Sequence, residues 1–145
     1  MGHNISNQIM DSLFMRCVNL PGQSIPQTSQ AIFVDGGGLL FVSGQVALDE
    51  SGIVGGDLRA QLEQSFTNLK AVLNQAGATF DNVVKMSIYV VDYQKEMIET
   101  IRQVRGRYVN LECPPASALI GVSSLFMPGL LVEVEAIASI SAVPY

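Results

Sequence analysis

Charge is what this chain has least of. Lys, Arg, Asp and Glu make up 14% of its 145 residues, against roughly a quarter in an ordinary soluble domain. Hydrophobic residues reach 48% and the mean hydropathy is +0.33, so such a chain is expected to hide part of its surface in an oligomer interface. No apolar run approaches the roughly 18 residues of a membrane-spanning helix, and no membrane partner is expected. The chain has eight basic residues, a net charge of −5, and a single basic cluster at Arg102, Arg105 and Arg107. Tight nucleic-acid binding rests on neutralising phosphates, so an acidic chain without a basic stripe argues against that partner.

Histidine is nearly absent. His3 is the one copy, and it sits in a polar start. Serine and cysteine hydrolases of the usual kind need a positioned imidazole, and many metal sites need several. Neither a metal nor a cofactor is expected, and acid–base work falls to carboxylates, a tyrosine, a lysine or bound water. Cysteine is scarce too. Cys17 and Cys113 stand alone, without a CxxC, so no disulfide framework or zinc site is expected. Reduced thiols in a cytoplasm are the plain reading, with Cys113 a buried residue that lacks the nearby positive charge of a reactive thiol. Glycine is present, but neither GxGxxG nor GxxxxGK[ST] occurs, so the nucleotide-loop reading fails.

Residues 1–13 read as a flexible leader and 14–145 as a single domain. The leader lacks the basic segment and apolar core of a secretory signal. Its first six residues, MGHNIS, meet the myristoylation pattern M-G-x-x-x-[ST], though so loose a pattern is easily met by chance. A short strand is predicted around Phe14 to Leu20, then a PGQSIPQTSQ loop. Two apolar strands follow, Ala31 to Val34 and Leu39 to Gly44, joined as a hairpin at DGGG. SGIVGG reads as a loop.

From Asp57 to Ala76 the spacing of Leu58, Leu62, Phe66, Leu69 and Leu73 predicts a helix, capped at Gly77. Val83 to Val91 predicts a β-branched strand. Tyr93 to Tyr108 predicts a second helix with Met97, Ile101, Val104 and Tyr108 on one face, ended by Pro114 and Pro115. Ala116 to Leu125 and Leu130 to Ser141 complete the set as strands. The order predicts an α+β layer with both helices on one face of a mixed sheet. The other face is apolar as well, and is expected to pack against another subunit.

The last strand, LLVEVEAIA, carries two acids on one face, Glu133 and Glu135, opposite Val132, Val134 and Ala136. Acids in so apolar a run must be paired or hydrogen-bonded. From the residues alone, Glu133 is either a general base or ligand acceptor, or a buried acid satisfied by backbone N–H groups or by Lys85 across the sheet. Glu135 reads as structural, pairing across subunits. Arg102 lies beside Ile98 and Arg105 on the flank of the second helix, where a solvated charge is the default.

Three stretches together carry a family resemblance: LLFVSGQVALDESGIVGGD (39–57), QSFTNLKAVLNQAGATFDNVVKMSIYVVD (64–92) and PPASALIGVSSLFMPGLLVEVEAIA (114–138). With them the chain resembles the RidA/YjgF family of imine deaminases, also labelled L-PSP endoribonucleases or translation inhibitors. The resemblance implies a chorismate-mutase-like α+β fold, assembled as a homotrimer around a central barrel, with clefts between subunits. In active members an arginine of a P-A-R motif grips the substrate carboxylate, and a glutamate opening the E-[IV]-E strand activates water to hydrolyse a 2-imino acid. Glu133 matches that glutamate, and Ser43, Gly44 and Gln45 match the cleft-lining S-G-Q.

Departures from the pattern are specific. Ser117 follows Pro115–Ala116 where the arginine belongs, and a hydroxyl cannot supply a guanidinium's charge or bidentate fork. Thr28 is nearest to a usual tyrosine, and Arg102 stands at a usual asparagine, from where it could supply positive charge by another route. The expected site is therefore Glu133 with Ser43, Gly44, Gln45, Ser117 and Arg102. The expected function is small-metabolite binding with hydrolysis of an imine or enamine. The alternative is a non-catalytic trimer binding a small ligand or a protein. RNA cleavage or translation inhibition is the third reading, and the acidic composition and missing imidazole weigh against it.

Overall fold

A computed structural model describes residues 15–23 and 25–140; the leader at 1–13 therefore lies outside the described residues. The chain runs β1 (Met15–Val18), β2 (Ala31–Val34), β3 (Gly38–Val46), β4 (Leu48–Asp49), β5 (Gly52–Ile53), α1 (Leu58–Gln75), β6 (Val83–Val91), α2 (Ile98–Arg105), β7 (Ala116–Val122) and β8 (Val132–Ile140). The main sheet has the order β3-β8-β6-β7. Its β3–β8 and β8–β6 pairs are antiparallel and β6–β7 is parallel, so the predicted mixed α+β sheet with two helices is what forms.

α1 starts where Asp57, extended, accepts from the Ala60 amide, one of the orphan donors of a helix N-terminus. It ends at Ala76, and Gly77 follows with φ +78°, a conformation that costs glycine nothing. Leu62, Phe66, Leu69 and Leu73 are fully buried. They pack with Ile101 and Val104 of α2 onto Met86, Ile88 and Val90 of β6 and Val132, Val134, Ala136 and Ala138 of β8 in one core. Phe66 stacks on Tyr108 at 4.9 Å and meets Phe80 at 5.9 Å.

Five sequence expectations are corrected. The DGGG hairpin does not form: β2 pairs with β1 as a separate ribbon, and β3 pairs with β8. Gly36 and Gly37, at φ +84° and +81°, redirect the chain, and nine-residue β3 finds in nine-residue β8 a ladder that four-residue β2 could not complete. SGIVGG is not all loop, because Gly52–Ile53 pairs with Leu48–Asp49 in a tight hairpin. The second helix is shorter than its apolar periodicity. Asp92 at φ +50° and extended Gln94 precede a 3-10 turn over Lys95–Met97, so α2 begins only at Ile98. β7 stops at Val122, short of Leu125.

The fifth correction is chemical. Cys17 and Cys113 form a disulfide, with Cα atoms 5.8 Å apart and a sequence separation of 96. Neither is a free thiol. Sequence spacing gave no hint, since the pairing depends on the β1–β2 ribbon lying beside the segment that enters β7. No helix among the described residues is long and apolar enough to cross a membrane.

Candidate functional site

On the side of the sheet away from the core, β8 presents Glu133 and Glu135 and β6 presents Ser87 and Tyr89. The register sets Tyr89 opposite Glu133 and Ser87 opposite Glu135. Lys85 stands opposite Ile137, and among the described residues neither glutamate has a salt bridge, so the Lys85 partnership does not form. Within the chain, Glu135 accepts a hydrogen bond from the Tyr89 hydroxyl at 2.7 Å. That bond, with burial, pushes the Tyr89 hydroxyl up.

Glu133 has no such partner among the described residues. Its carboxyl is held above the ordinary range, first by burial and then by the negative charge of Glu135. Its side chain lies across Gly44 of β3. A Cβ at Gly44 would come within 2.5 Å of Glu133 Cδ and 2.7 Å of Cγ. Here β3 bulges, its register slipping between Val42 and Gln45, and Gln45 Nε2 donates to the Ser43 carbonyl at 3.0 Å. The structure thus brings Ser43, Gly44, Gln45 and Glu133 together. Beside them, Phe41, Ser43, Lys85, Ser87 and Glu135 line a recess of about 330 Å³.

Two polar residues on α1 hold this arrangement. Gln61, 2% exposed, accepts from the Leu131 amide at 2.8 Å and donates to the Gly129 carbonyl at 2.8 Å, fixing the entry to β8 just before Glu133. Asn68 donates to the carbonyls of Val46 and Leu48 at 2.9 and 2.8 Å, fixing the exit of β3. Sequence reasoning missed both. The available signal was a polar residue one step from the apolar stripe of α1, where an unsatisfied amide would be costly.

Ser117 is not brought to Glu133 within one chain. Register places it beside Met86, a fully buried core residue, so it faces the opposite side of the sheet. There Ser117 joins Val18, Leu20, Ile25, Thr28, Ser29, Gln30 and Ala31 around a second recess of about 540 Å³. Its hydroxyl oxygen is buried with no hydrogen-bond partner. Arg102 is half-buried rather than solvated, and its Nε is buried and likewise unpartnered.

A family model described as Endoribonuclease L-PSP matches residues 23–140. The chain belongs to the RidA/YjgF family. Curated RidA/YjgF relatives include protein DfrA of Myxococcus xanthus, 41% identical over 118 residues, 80% of this chain and 87% of the relative. Another is the 2-iminobutanoate/2-iminopropanoate deaminase of Homo sapiens, 31% identical over 134 residues, with 89% and 93% coverage. Among solved structures, the Rid-family protein YyfB of Yersinia pestis superposes with a TM-score of 0.79 at 36% identity, covering 87% of this chain and 98% of that one.

Proposed function

We propose that the protein binds a small metabolite in clefts between the subunits of a homotrimer and hydrolyses an imine or enamine there, with Glu133 activating water. The observation that carries this reading is the lone carboxyl of Glu133, raised by burial and by Glu135, lying over the bare backbone of Gly44. A carboxyl raised toward the working pH can both take and return a proton. Glu133 removes a proton from water as the oxygen attacks the C=N carbon. It returns that proton to the imine nitrogen to give a carbinolamine, then relays the carbinolamine's hydroxyl proton to the same nitrogen as the C–N bond breaks, leaving a carbonyl and ammonia. An enamine enters the same route after tautomerising to the imine.

Two features support assembly. The outer sheet face exposes Phe41 at 72% and Leu39 at 56%, the kind of apolar patch that marks an interface. Ser117 and Glu133 also lie on opposite faces of one sheet, so a cleft holding both needs two protomers. Ser117 at the arginine position favours a second reading, a trimer that binds a ligand without turning it over. The family's RNA-cleavage label is the weakest reading for a chain of net charge −5.

The test is ammonia release from imines made in place by an amino-acid oxidase, comparing the parent with Glu133→Ala. The expected result is acceleration by the parent and a loss on the order of a hundredfold in the variant. No rate above the spontaneous one across several substrates overturns hydrolysis. A monomer by sedimentation overturns the cleft.

A further inference from the structure

The recess around Ser117 is walled by side chains that carry no charge. The ribbon register sets Val18 opposite Ala31, and both line the recess with Leu20 and Ile25. Val18, Leu20 and Ile25 are 40%, 59% and 60% exposed, so this apolar surface is left uncovered by the described residues. Among those residues, the lining has no Lys, Arg, Asp or Glu. One step further along the same ribbon face, Arg16 stands opposite Phe33. Its guanidinium lies over the Phe33 ring, 5.5 Å from the centroid, and outside the lining.

The cations of α2 turn elsewhere. Gln27 Oε1 accepts from Arg105 Nε at 3.1 Å, and Gln27 Nε2 donates to the Arg102 carbonyl at 2.9 Å. Arg105 is 4% exposed, and neither arginine lines the recess. Within the chain, Arg102 therefore does not supply the charge missing at Ser117. Most polar groups of the lining are already engaged. Ser29 donates its hydroxyl to the Pro114 carbonyl at 2.5 Å and its amide to the Pro115 carbonyl at 3.3 Å. Gln30 Oε1 accepts from the Leu20 amide, and the Gln30 amide donates to Asn19 Oδ1 at 2.8 Å. What remains are two hydroxyls, that of Thr28 and that of Ser117. The Ser117 oxygen is buried with no partner, a costly state that a ligand atom relieves.

We infer that this recess binds an uncharged ligand, an apolar group with one hydrogen-bonding atom of the class of a neutral ketone or its imine, and excludes carboxylates. A carboxylate entering here gives up its water and meets no cation, which is unfavourable. A hydrocarbon surface laid on Val18, Leu20 and Ile25 gains in proportion to the area it removes from water. Its polar atom gives Ser117 the partner that the fold withholds. Ser117 and the ribbon wall thus set specificity against small acids. The inference rests on the ligand-binding reading above and names the substrate class. Its readout is occupancy of the recess, so it and hydrolysis can fail separately.

The test is titration of the isotope-labelled full chain, followed by amide resonances, with acetophenone and separately with phenylglyoxylate. The two probes differ by a methyl group against a carboxylate. Acetophenone is expected to shift Val18, Ala31 and Ser117 saturably in the millimolar range, and phenylglyoxylate to bind at least about tenfold more weakly. Ser117→Ala should weaken acetophenone about fivefold. Its ligand-free Tm should equal or exceed the parent's, because an unpartnered hydroxyl has gone. Ala31→Phe fills the recess and should abolish the shifts. Phenylglyoxylate binding as tightly as acetophenone overturns the inference, as does the absence of saturable shifts up to about 10 mM, a weak-binding limit. Shifts centred on Leu39 and Phe41 of the outer sheet face overturn it too, as does undiminished binding by Ser117→Ala or by Ala31→Phe.

Discussion

The Glu133 side chain occupies the space where a side chain at Gly44 would begin. The two positions are one decision: β3 forgoes a Cβ so that β8 can lay a carboxylate across its bulge. Gly44→Ala is therefore expected to expel the glutamate, reducing ammonia release as far as Glu133→Ala does and costing about 1–3 kcal/mol of stability. In the double variant the stability cost should largely vanish, because the atoms that clash are gone. Thermal unfolding of the four proteins measures this coupling, and strictly additive losses would contradict it.

Stability should carry the mark of Glu133 as pH changes. Burial and Glu135 raise its carboxyl on folding. An acid raised in this way favours the fold fully below its unfolded pKa, and that contribution is lost as pH rises through the folded value. From about pH 4 to 7, above the usual carboxyl range, the Tm of Glu133→Gln should gain steadily on that of the parent. A difference between the two that is flat with pH would remove burial as the cause.

Gln61→Leu should destabilise out of proportion to its size. The leucine fits an apolar neighbourhood but strands the Leu131 amide and the Gly129 carbonyl, at about 1–3 kcal/mol for each buried group left unpaired. Denaturant unfolding gives the cost. Hydrogen exchange at Leu131 should accelerate more than exchange in α1.

Cys17–Cys113 should appear as a disulfide by mass after alkylation without reductant. Closing a loop of this length restricts the unfolded chain, and native bridges typically contribute about 2–4 kcal/mol. Reduction, or Cys17→Ser, should lower Tm accordingly. Two freely alkylated thiols in the native protein would contradict the bond.

Ser117→Arg should restore a guanidinium at the P-A-R position, with a recess of about 540 Å³ to receive it. The expected gain is in KM for 2-imino acids, lowered about tenfold by a charge-assisted bidentate contact. An unchanged KM would show that this recess does not meet the substrate carboxylate.

Much of the fold was legible because it follows from periodicity. The α1 leucines repeat at helical spacing, the β6 bounds coincide with its β-branched run, and Asp57 and Gly77 mark the ends of α1. What failed depended on partners distant in sequence. DGGG carries a hairpin's local signal, yet β3 joins β8 about ninety residues on. Cys17 and Cys113 carry no local signal at all. Of the candidate site, the Ser43–Gln45 and Glu133 grouping was legible through the motifs. The isolation of Ser117 on the other face follows from its strand register, and the burial of Arg105 from a loop amide, neither of which a pattern along one chain displays.

The β1–β2 ribbon spends its backbone ladder on itself. It meets the main sheet through one isolated bridge, Ser29 to Ala116, a few side-chain bonds and one covalent staple. Opening such a unit breaks little that the core depends on, so its amides should exchange long before those of β6 or β8. The wall around Ser117 therefore behaves as a hasp. Its hold on the main sheet is set by a handful of polar contacts and one disulfide, while the apolar core behind it stays shut.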